Sequence, residues 1–487
     1  MSTDQFGEKT KYSKGDHSLK KSFSKTYDFS GKSDDVFLAF SDEPMLFFLD
    51  SSLSCSDRGR FSFIGFRPFD VVSASGKDSL ETLQKRFYQH QCFIENPLTP
   101  FCSGAVGFLG YELGLKWEDI PTQEKPGLSL PDCFFGFYNC VIAIDHALGK
   151  LHIITTGIPE TNERLREKRA LEDLRYIESK FNKEYKEESR MTSIDPLDSC
   201  SQASGIFSNF TKQEYLETVD RALEYIRQGD IYQVNLSQRF LLKRDFSNSK
   251  DLARIYVFLR SISPSSFGSY FDAGDFQIVS SSPEEFLLKR GQHVETTPMK
   301  GTRPRSQNII DDEIFKRDLL ESQKEKAELL MVTDLERNDL GKVCKSGSVC
   351  VRAMRTLEEY KTVFQTTSTV EGILAKDKNA FDVLRACFPS GSVTGCPKIC
   401  AMQIINELEP DKREAYTGSF GYIGFDESMD FNILIRTLIA KKDMLSFHVG
   451  GGIVADSVAE SEYDETLLKA LALQKSIFNI LLEKSGV

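Results

Sequence analysis

The chain has 487 residues, of which 40% are apolar and 27% charged, and its formal net charge is −11. That balance belongs to a soluble globular protein, and the negative sign argues against bulk binding to nucleic acid or an anionic membrane. No run of 18 apolar residues offers a membrane span, and 11 cysteines without a C-x-x-C point to reduced thiols in the cytoplasm rather than a disulfide framework.

The length suits two or three domains, or one large composite core. Residues 1–25 form a polar arm that lacks the apolar stretch of a secretory signal. Residues 26–190 read as a β-rich region, because "VFLAF", "MLFFLD", "FSFIGF", "CFFGFYNCVIAID" and "KLHIITTG" are short apolar runs separated by glycine, serine and proline. Within it, "GAVGFLGYELG" (104–114) carries four glycines and reads as a turn region where backbone approaches backbone or a ligand. Residues 159–189 form an amphipathic helix with a charged outer face, and the polar stretch 191–208 reads as a linker.

The second region, 209–487, opens with a helix marked by a Thr211–Glu214 capping box and closed by Gly229. In the strand that follows, Tyr232, Val234, Leu236 and Phe240 are expected to face a core. Gln233, Asn235, Ser237 and Arg239 then fall on a polar face that is either solvated or lines a cavity. The strands of "GSYFDAGDFQIVSSSPEEFLLKR" and "FNILIRTLIAKKDMLSFHVGGGIVA" alternate with helices over 307–331, 378–387, 397–407 and 461–483. The order lacks regular βαβ spacing, so the class is α+β with helices around antiparallel sheets. "GSVTGCPK" has no GK-S/T and "GSFGYIG" is G-x-x-G-x-x-G, so neither is a nucleotide-binding loop.

Several groups carry possible chemistry. Glu462 and Glu465 are three apart at a helix start, and Glu321, Glu325 and Glu328 make a second acidic stripe. Two such helices are either charged surface or a site for Mg²⁺, which takes oxygen ligands and keeps some of its waters. The six histidines show no H-x-x-x-H pair, so a histidine-ligated metal is not expected. Gly450, Gly451 and Gly452 expose bare N–H groups to an anion, or simply make a tight turn. Arg436, among aliphatics, needs a partner: a structural carboxylate or a ligand's. Glu284 lies 16 residues before Lys300, close enough for neighbouring strands. Lys300 itself sits in the Pro-X-Lys-Gly corner of "TPMKGTRPR", which alone is a basic surface loop. Together these groups suit an enzyme acting on a small polycarboxylate with Mg²⁺.

"IYQVNLSQRF", "SSSPEEF", "PMKGTRPR", "KAELLMVTDLERNDLGKV", "PSGSVTGCPK", "AYTGSFGYIG", "NILIRTL" and "GGGIVADS…EYDETLLKA" run in order from about residue 205 to the C-terminus. With "LDSS", "RFSFIG" and "GFLGYELG" upstream, the chain resembles the chorismate-utilising enzymes. The resemblance implies two packed antiparallel β-sheets surrounded by helices, with chorismate and Mg²⁺ in a cleft. It assigns Glu328, Glu462 and Glu465 to the metal. Tyr416, Arg436 and the Gly450–Gly452 backbone go to the enolpyruvyl carboxylate, Lys469 to the ring carboxylate, and Thr302 and Thr394 to the substrate-contacting loops. Asp50, Ser51 and Ser52 fall where relatives have a tryptophan pocket.

Two positions sort that family by nucleophile. Water-activating members have a lysine where Gln233 stands, and a glutamine amide cannot act as that base. Members that form anthranilate have alanine at the position of Lys300, whereas a lysine there resembles the aminodeoxychorismate-forming branch. In that branch the lysine attacks C2 covalently and Glu284 acts as general acid, with Arg303 or Arg305 expected to help keep the amine neutral. Gln365 departs from the family pattern, in which a histidine assists loss of the C4 hydroxyl. No "C-L-G-H-Q"-like segment is present, so a separate class I glutamine amidotransferase is the implied ammonia source. Anthranilate formation, and a non-catalytic chorismate- or tryptophan-binding regulatory subunit, remain open as alternatives.

Overall fold

A computed structural model describes residues 19–53, 59–184, 205–246, 249–360 and 363–485. Two large antiparallel sheets dominate it. The first has twelve strands. Eleven follow in the order Ile206–Ser208, Gln233–Lys243, Met444–Ile453, Thr437–Lys441, Phe276–Ser282, Phe267–Asp272, Phe47–Asp50, Phe61–Gly65, Cys140–Asp145, Lys150–Thr155 and Phe23–Asp28, and Gly395–Cys396 pairs with Gln233–Lys243. The second has ten. Its path runs Met299–Pro304, Val363–Ile373, His293–Thr296, Glu285–Arg290, Met429–Ile433, Ser419–Gly424, Gly104–Leu109, Cys133–Tyr138 and Asp70–Ala74, with Cys350–Glu359 paired to Val363–Ile373. Both sheets take strands from both sides of residues 191–208. Residues 206–208 of that stretch form a strand, and 191–204 lie outside the described residues, as do 1–18 of the N-terminal arm.

The strands are apolar on both faces because both faces are covered. Between the sheets, Phe47, Phe63, Val141, Phe271 and Ile278 of the first meet Val106, Phe108, Phe134, Phe420 and Tyr422 of the second. The outer face of the first sheet packs under the helices Ser33–Ala39, Glu163–Glu184, Ser249–Ile262 and Ala459–Ser485. The outer face of the second packs under Ser79–His90, Gln323–Gly341 and Ala380–Cys387. Period-2 alternation explains the split: Phe134 joins the inter-sheet layer, while its neighbour Phe135 joins the outer one.

Several sequence expectations are corrected. "VFLAF" is helical over Ser33–Ala39, because Val36, Phe37 and Phe40 recur on one buried face. Residues 104–114 are not a turn but the strand Gly104–Leu109 followed by the helix Glu112–Trp117. Their glycines serve close strand approach: a Cβ on Gly107 would stand 1.9 Å from the Phe134 carbonyl oxygen. The helix expected over 307–331 is two helices, Ile309–Glu321 and Gln323–Gly341, because the Ser322 backbone (φ −57°, ψ 113°) leaves the helical region and its side chain caps the second. Tyr232 is 71% exposed rather than core-facing, while Gln233, Ser237 and Arg239 are buried opposite Val234 and Leu236.

Gly107→Ala is expected to cost roughly 1–3 kcal/mol in denaturant unfolding, because backbone must shift to admit the methyl group. Gly341→Ala, with nothing within 4 Å of the added Cβ, is expected to stay within about 0.5 kcal/mol of wild type.

Candidate active site

The chain crosses between the sheets at two points that face each other. Phe276–Ser282 lies in the first sheet and Glu285–Arg290 in the second, which leaves Pro283 and Glu284 in the crossing. Met429–Ile433 lies in the second sheet and Thr437–Lys441 in the first, so Arg436 falls in a break rather than inside one strand. Its φ of 51° marks the break, a backbone state that a non-glycine residue seldom adopts. The Arg436 carbonyl accepts from Ser281 N at 3.1 Å and ties one crossing to the other.

A cleft of about 600 Å³ opens at this seam. Of the residues singled out in the sequence, Glu284, Lys300, Thr302, Glu328, Tyr416, Arg436, Gly450, Gly452, Glu462, Glu465 and Lys469 line it. Three stand behind the wall. Gln233 is buried against Gly452, where an added Cβ would meet Gln233 Nε2 at 2.3 Å. The Thr394 hydroxyl donates to Ser390 O at 2.9 Å inside a buried turn. A Cβ on Gly451 would point at Glu462, Glu465 and Lys469, at 3.2–3.9 Å.

Lys300 is not at a turn. It belongs to the edge strand Met299–Pro304, whose register against Val363–Ile373 shifts between Lys300 and Thr302. Gly301, at φ 77°, forms that bulge and turns the lysine toward the cleft. Lys300 Nζ donates to Ser392 O at 3.2 Å. Arg303 pairs with Asp318 and Glu325, and Arg305 with Asp312. Both arginines thus pair with carboxylates that brace the bulged strand, as support for the lysine rather than contacts to a ligand.

Beside the amine, Glu284 accepts a long bond from Met299 N at 3.4 Å. Burial pushes its carboxyl up to about 7, against the opposing effects of the Ser392 side chain and the Lys300 charge. Across the cleft, burial lowers the pKa of Arg436, and no carboxylate among the described residues pairs with it. Tyr416 stacks on His448, with centroids 5.0 Å apart and an interplanar angle of 11°. Burial raises the Tyr416 hydroxyl and, with Arg239 and Arg413, holds the His448 imidazole neutral.

The acidic side comes from two helices. Glu325 and Glu328 lie on Gln323–Gly341, and Glu462 and Glu465 on Ala459–Ser485. Burial raises the Glu328 pKa, and the like charges of Glu325 and Glu462 add to the shift. Lysines balance the others: Lys469 Nζ stands 2.6 Å from Glu465 and Lys324 Nζ 3.8 Å from Glu462. Lys469 also donates to Gly450 O at 2.8 Å. Carboxylates on two helices make an oxygen-only donor set, the ligand type a hard divalent cation takes. Glu321, the third member of the expected stripe, is not among the cleft residues.

Sequence reading overlooked Ser392 and His448. The first lay inside "PSGSVTGCPK", where Thr394 was singled out instead, and the second is a single histidine before the glycines. His293, Glu295 and Glu371 do converge within 4.8 Å on the second sheet. Arg352 already bonds both carboxylates there, at 2.9 and 3.4 Å. Asp50 and Ser51 line a separate cavity of about 740 Å³. The Asp50 carboxylate is held by Arg260 Nε at 2.5 Å and by the Tyr256 hydroxyl at 3.0 Å. The Ser52 hydroxyl donates to Ser265 O. No helix among the described residues is long and apolar enough to cross a membrane.

The family model for chorismate binding enzymes matches residues 48–475. The chain is 37% identical over 460 residues to anthranilate synthase component 1 of Thermus thermophilus, covering 91% of this chain and 94% of that one. It is 33% identical over 437 residues to aminodeoxychorismate synthase component 1 of Bacillus subtilis, covering 86% and 89%. The crystal structure of anthranilate synthase component I from Streptococcus pneumoniae superposes with a TM-score of 0.72 at 30% identity, over 87% of this chain and 93% of that one. With the sheets, the seam and the cleft in the same chain, these likenesses place it in the family: the protein belongs to the chorismate binding enzymes, as a chorismate-utilising enzyme of the anthranilate and aminodeoxychorismate synthase type.

Proposed function

We propose that the chain is an aminodeoxychorismate synthase component I, converting chorismate and ammonia to 4-amino-4-deoxychorismate for p-aminobenzoate and folate synthesis in the cytoplasm. The observation that carries this reading is Lys300, turned into the cleft by the Gly301 bulge and placed beside Glu284. Gln233, behind the wall, cannot activate water, so a nitrogen nucleophile is favoured.

Arg436 supplies a half-buried guanidinium for the enolpyruvyl carboxylate, with Tyr416 and the Gly450–Gly452 backbone beside it. Lys469 and Thr302 orient the rest of the substrate. Glu328, Glu462 and Glu465 would hold Mg²⁺, which when bound neutralises carboxylate charge on the substrate. The Lys300 amine forms a bond to ring C2, the diene shifts, and the C4–O bond breaks. The hydroxyl leaves as water with a proton from Glu284, and the proton shed by the new C2 ammonium restores the acid. Ammonia then bonds to C4, the diene shifts back, and the C2–N bond breaks, the proton shed by the new C4 ammonium going to the departing Lys300 nitrogen. The net change is ammonia in and water out, with the enolpyruvyl ether intact.

The Gln365 amide, 3.5 Å from the Thr302 hydroxyl, orients but cannot donate a catalytic proton, so that task falls to Glu284. The ammonia source is a separate class I glutamine amidotransferase. The cavity lined by Asp50 and Ser51 is the place for a bound tryptophan. The Thermus relative's name favours a second reading, anthranilate synthesis, in which ammonia enters at C2 and pyruvate is lost. A lysine at C2 weighs against it.

With chorismate, Mg²⁺ and an ammonium salt, mass spectrometry of the product is expected to give aminodeoxychorismate without pyruvate release. Fluorescent anthranilate with pyruvate would select the second reading. Chelation is expected to abolish turnover and Mg²⁺ to restore it; undiminished activity in chelator would remove the metal assignment. Glu284 donates only when protonated, so with a carboxyl at about 7 the C4–O cleavage step should run below that pH and fall tenfold per pH unit above it. Glu284→Gln should lower kcat by about 10²–10⁴-fold and erase that descending limb. A limb of unchanged position in the variant would assign it to another group.

A further inference from the structure

The run "DLERND" places Glu336 on the helix Gln323–Gly341, two turns beyond Glu328 and fully buried. The mechanism above makes no use of it. Its Oε1 accepts from the Ser390 hydroxyl at 2.9 Å and from Gly391 N at 3.0 Å. The Ser390 hydroxyl in turn accepts from Ser392 N at 3.2 Å. One carboxylate oxygen therefore gathers the start of the short 3-10 turn Gly391–Val393.

Gly391 allows this approach, because a Cβ there would stand 2.4 Å from Leu335 Cδ2 and 3.3 Å from Glu336 Oε1. The far side of the turn is fixed independently. Val393 O accepts from Arg413 at 3.0 Å, and Thr394 O from Asn235 N at 2.8 Å. Between these anchors, Ser392 O faces the cleft and takes the bond from Lys300 Nζ. The Ser392 side chain also meets Glu284. The turn thus touches both the amine and the acid, and its N-terminal half hangs on Glu336. Lys398 holds the segment just before it, donating to Cys387 O, Pro389 O and Asp339.

From this geometry we infer that Glu336 is a positioning residue, anchoring the Ser390–Val393 turn so that Ser392 O sets the direction of the Lys300 amine. The inference rests on the reading of Lys300 as nucleophile, and the test separates the two. The full-length chain is acetylated with a small amine-selective ester in the absence of chorismate. The labelling rates of Lys300 and of the exposed Lys168 are then read by peptide mass spectrometry in wild type, Glu336→Ala, Glu336→Gln and Ser390→Ala. Chorismate KM and kcat are measured on the same samples.

Glu336→Ala is expected to change Lys300 labelling by about threefold or more with Lys168 unaffected. It should lower kcat by about tenfold while KM stays within about twofold, since Arg436 and the acidic helices still bind substrate. Ser390→Ala, which removes one of the bonds, should show a smaller change in the same direction and serves if Glu336→Ala does not fold. Glu336→Gln keeps an acceptor oxygen and should lie much closer to wild type. Lys300 labelling in Glu336→Ala or Ser390→Ala indistinguishable from wild type would overturn the inference. So would a Glu336→Gln protein as impaired as Glu336→Ala. If wild type forms no lysine adduct with chorismate, the nucleophile reading fails, while labelling still decides the role of Glu336.

Discussion

A guanidinium withdrawn from bulk water favours a negative partner, and Arg436, half-buried in the cleft, has none among the described residues. Burial is the cause of its lowered pKa, with no carboxylate among the described residues paired to it. Other buried arginines are handled differently: Arg413 pairs with Glu409 at 2.6 Å and Arg260 with Asp50 at 2.5 Å. A half-buried cation without a partner favours a ligand that supplies the opposite charge. The cleft is arranged around that deficit. Arg436 stands where one chain crossing leaves the second sheet, and the strained φ of 51° keeps it there. Glu284 stands at the opposite crossing, where burial has the opposite consequence and favours the neutral acid.

The same seam explains why chemistry gathers at one place. The two crossings, where the chain leaves one sheet for the other, bring Glu284 and Arg436 to the same cleft. Lys300 arrives by another device, an edge strand with a glycine bulge, and the acidic residues arrive on two helices that close the cleft from outside. Chorismate carries two carboxylates, one ring hydroxyl and an enolpyruvyl ether. On the proposed reading, an arginine without a carboxylate partner among the described residues, a buried acid, an amine and an acidic wall would meet those groups.

Much of this was legible in the sequence because local chemistry dominates where it was read. The Thr211–Glu214 capping box and the left-handed Gly229 stand as expected, and the phenylalanine-rich runs of 133–145 are paired strands. Legibility failed where tertiary context decided. "VFLAF" is helical because its neighbours Ser33–Asp35 start a helix that buries Val36 and Phe37, which five residues of β-like composition do not reveal. The glycines of 104–114 signal close approach, but only the partner strand tells a sheet from a turn. The Pro-X-Lys-Gly corner is a bulge because Thr366 and Gln365, over sixty residues away, pair on either side of it. Gln233 and Thr394 carry the right chemistry one layer too deep. Ser392 acts through its carbonyl, which no side-chain pattern announces.

The central claim is that Lys300 bonds to the substrate before ammonia does. Intact-protein mass spectrometry after mixing the enzyme with chorismate and Mg²⁺, without ammonia, tests it most directly. The account predicts a mass gain of one chorismate less one water, mapped by peptide sequencing to Lys300 and absent from Lys300→Ala. A wild-type enzyme that makes aminodeoxychorismate yet never carries that mass, or a Lys300→Ala protein that carries it undiminished, would contradict it.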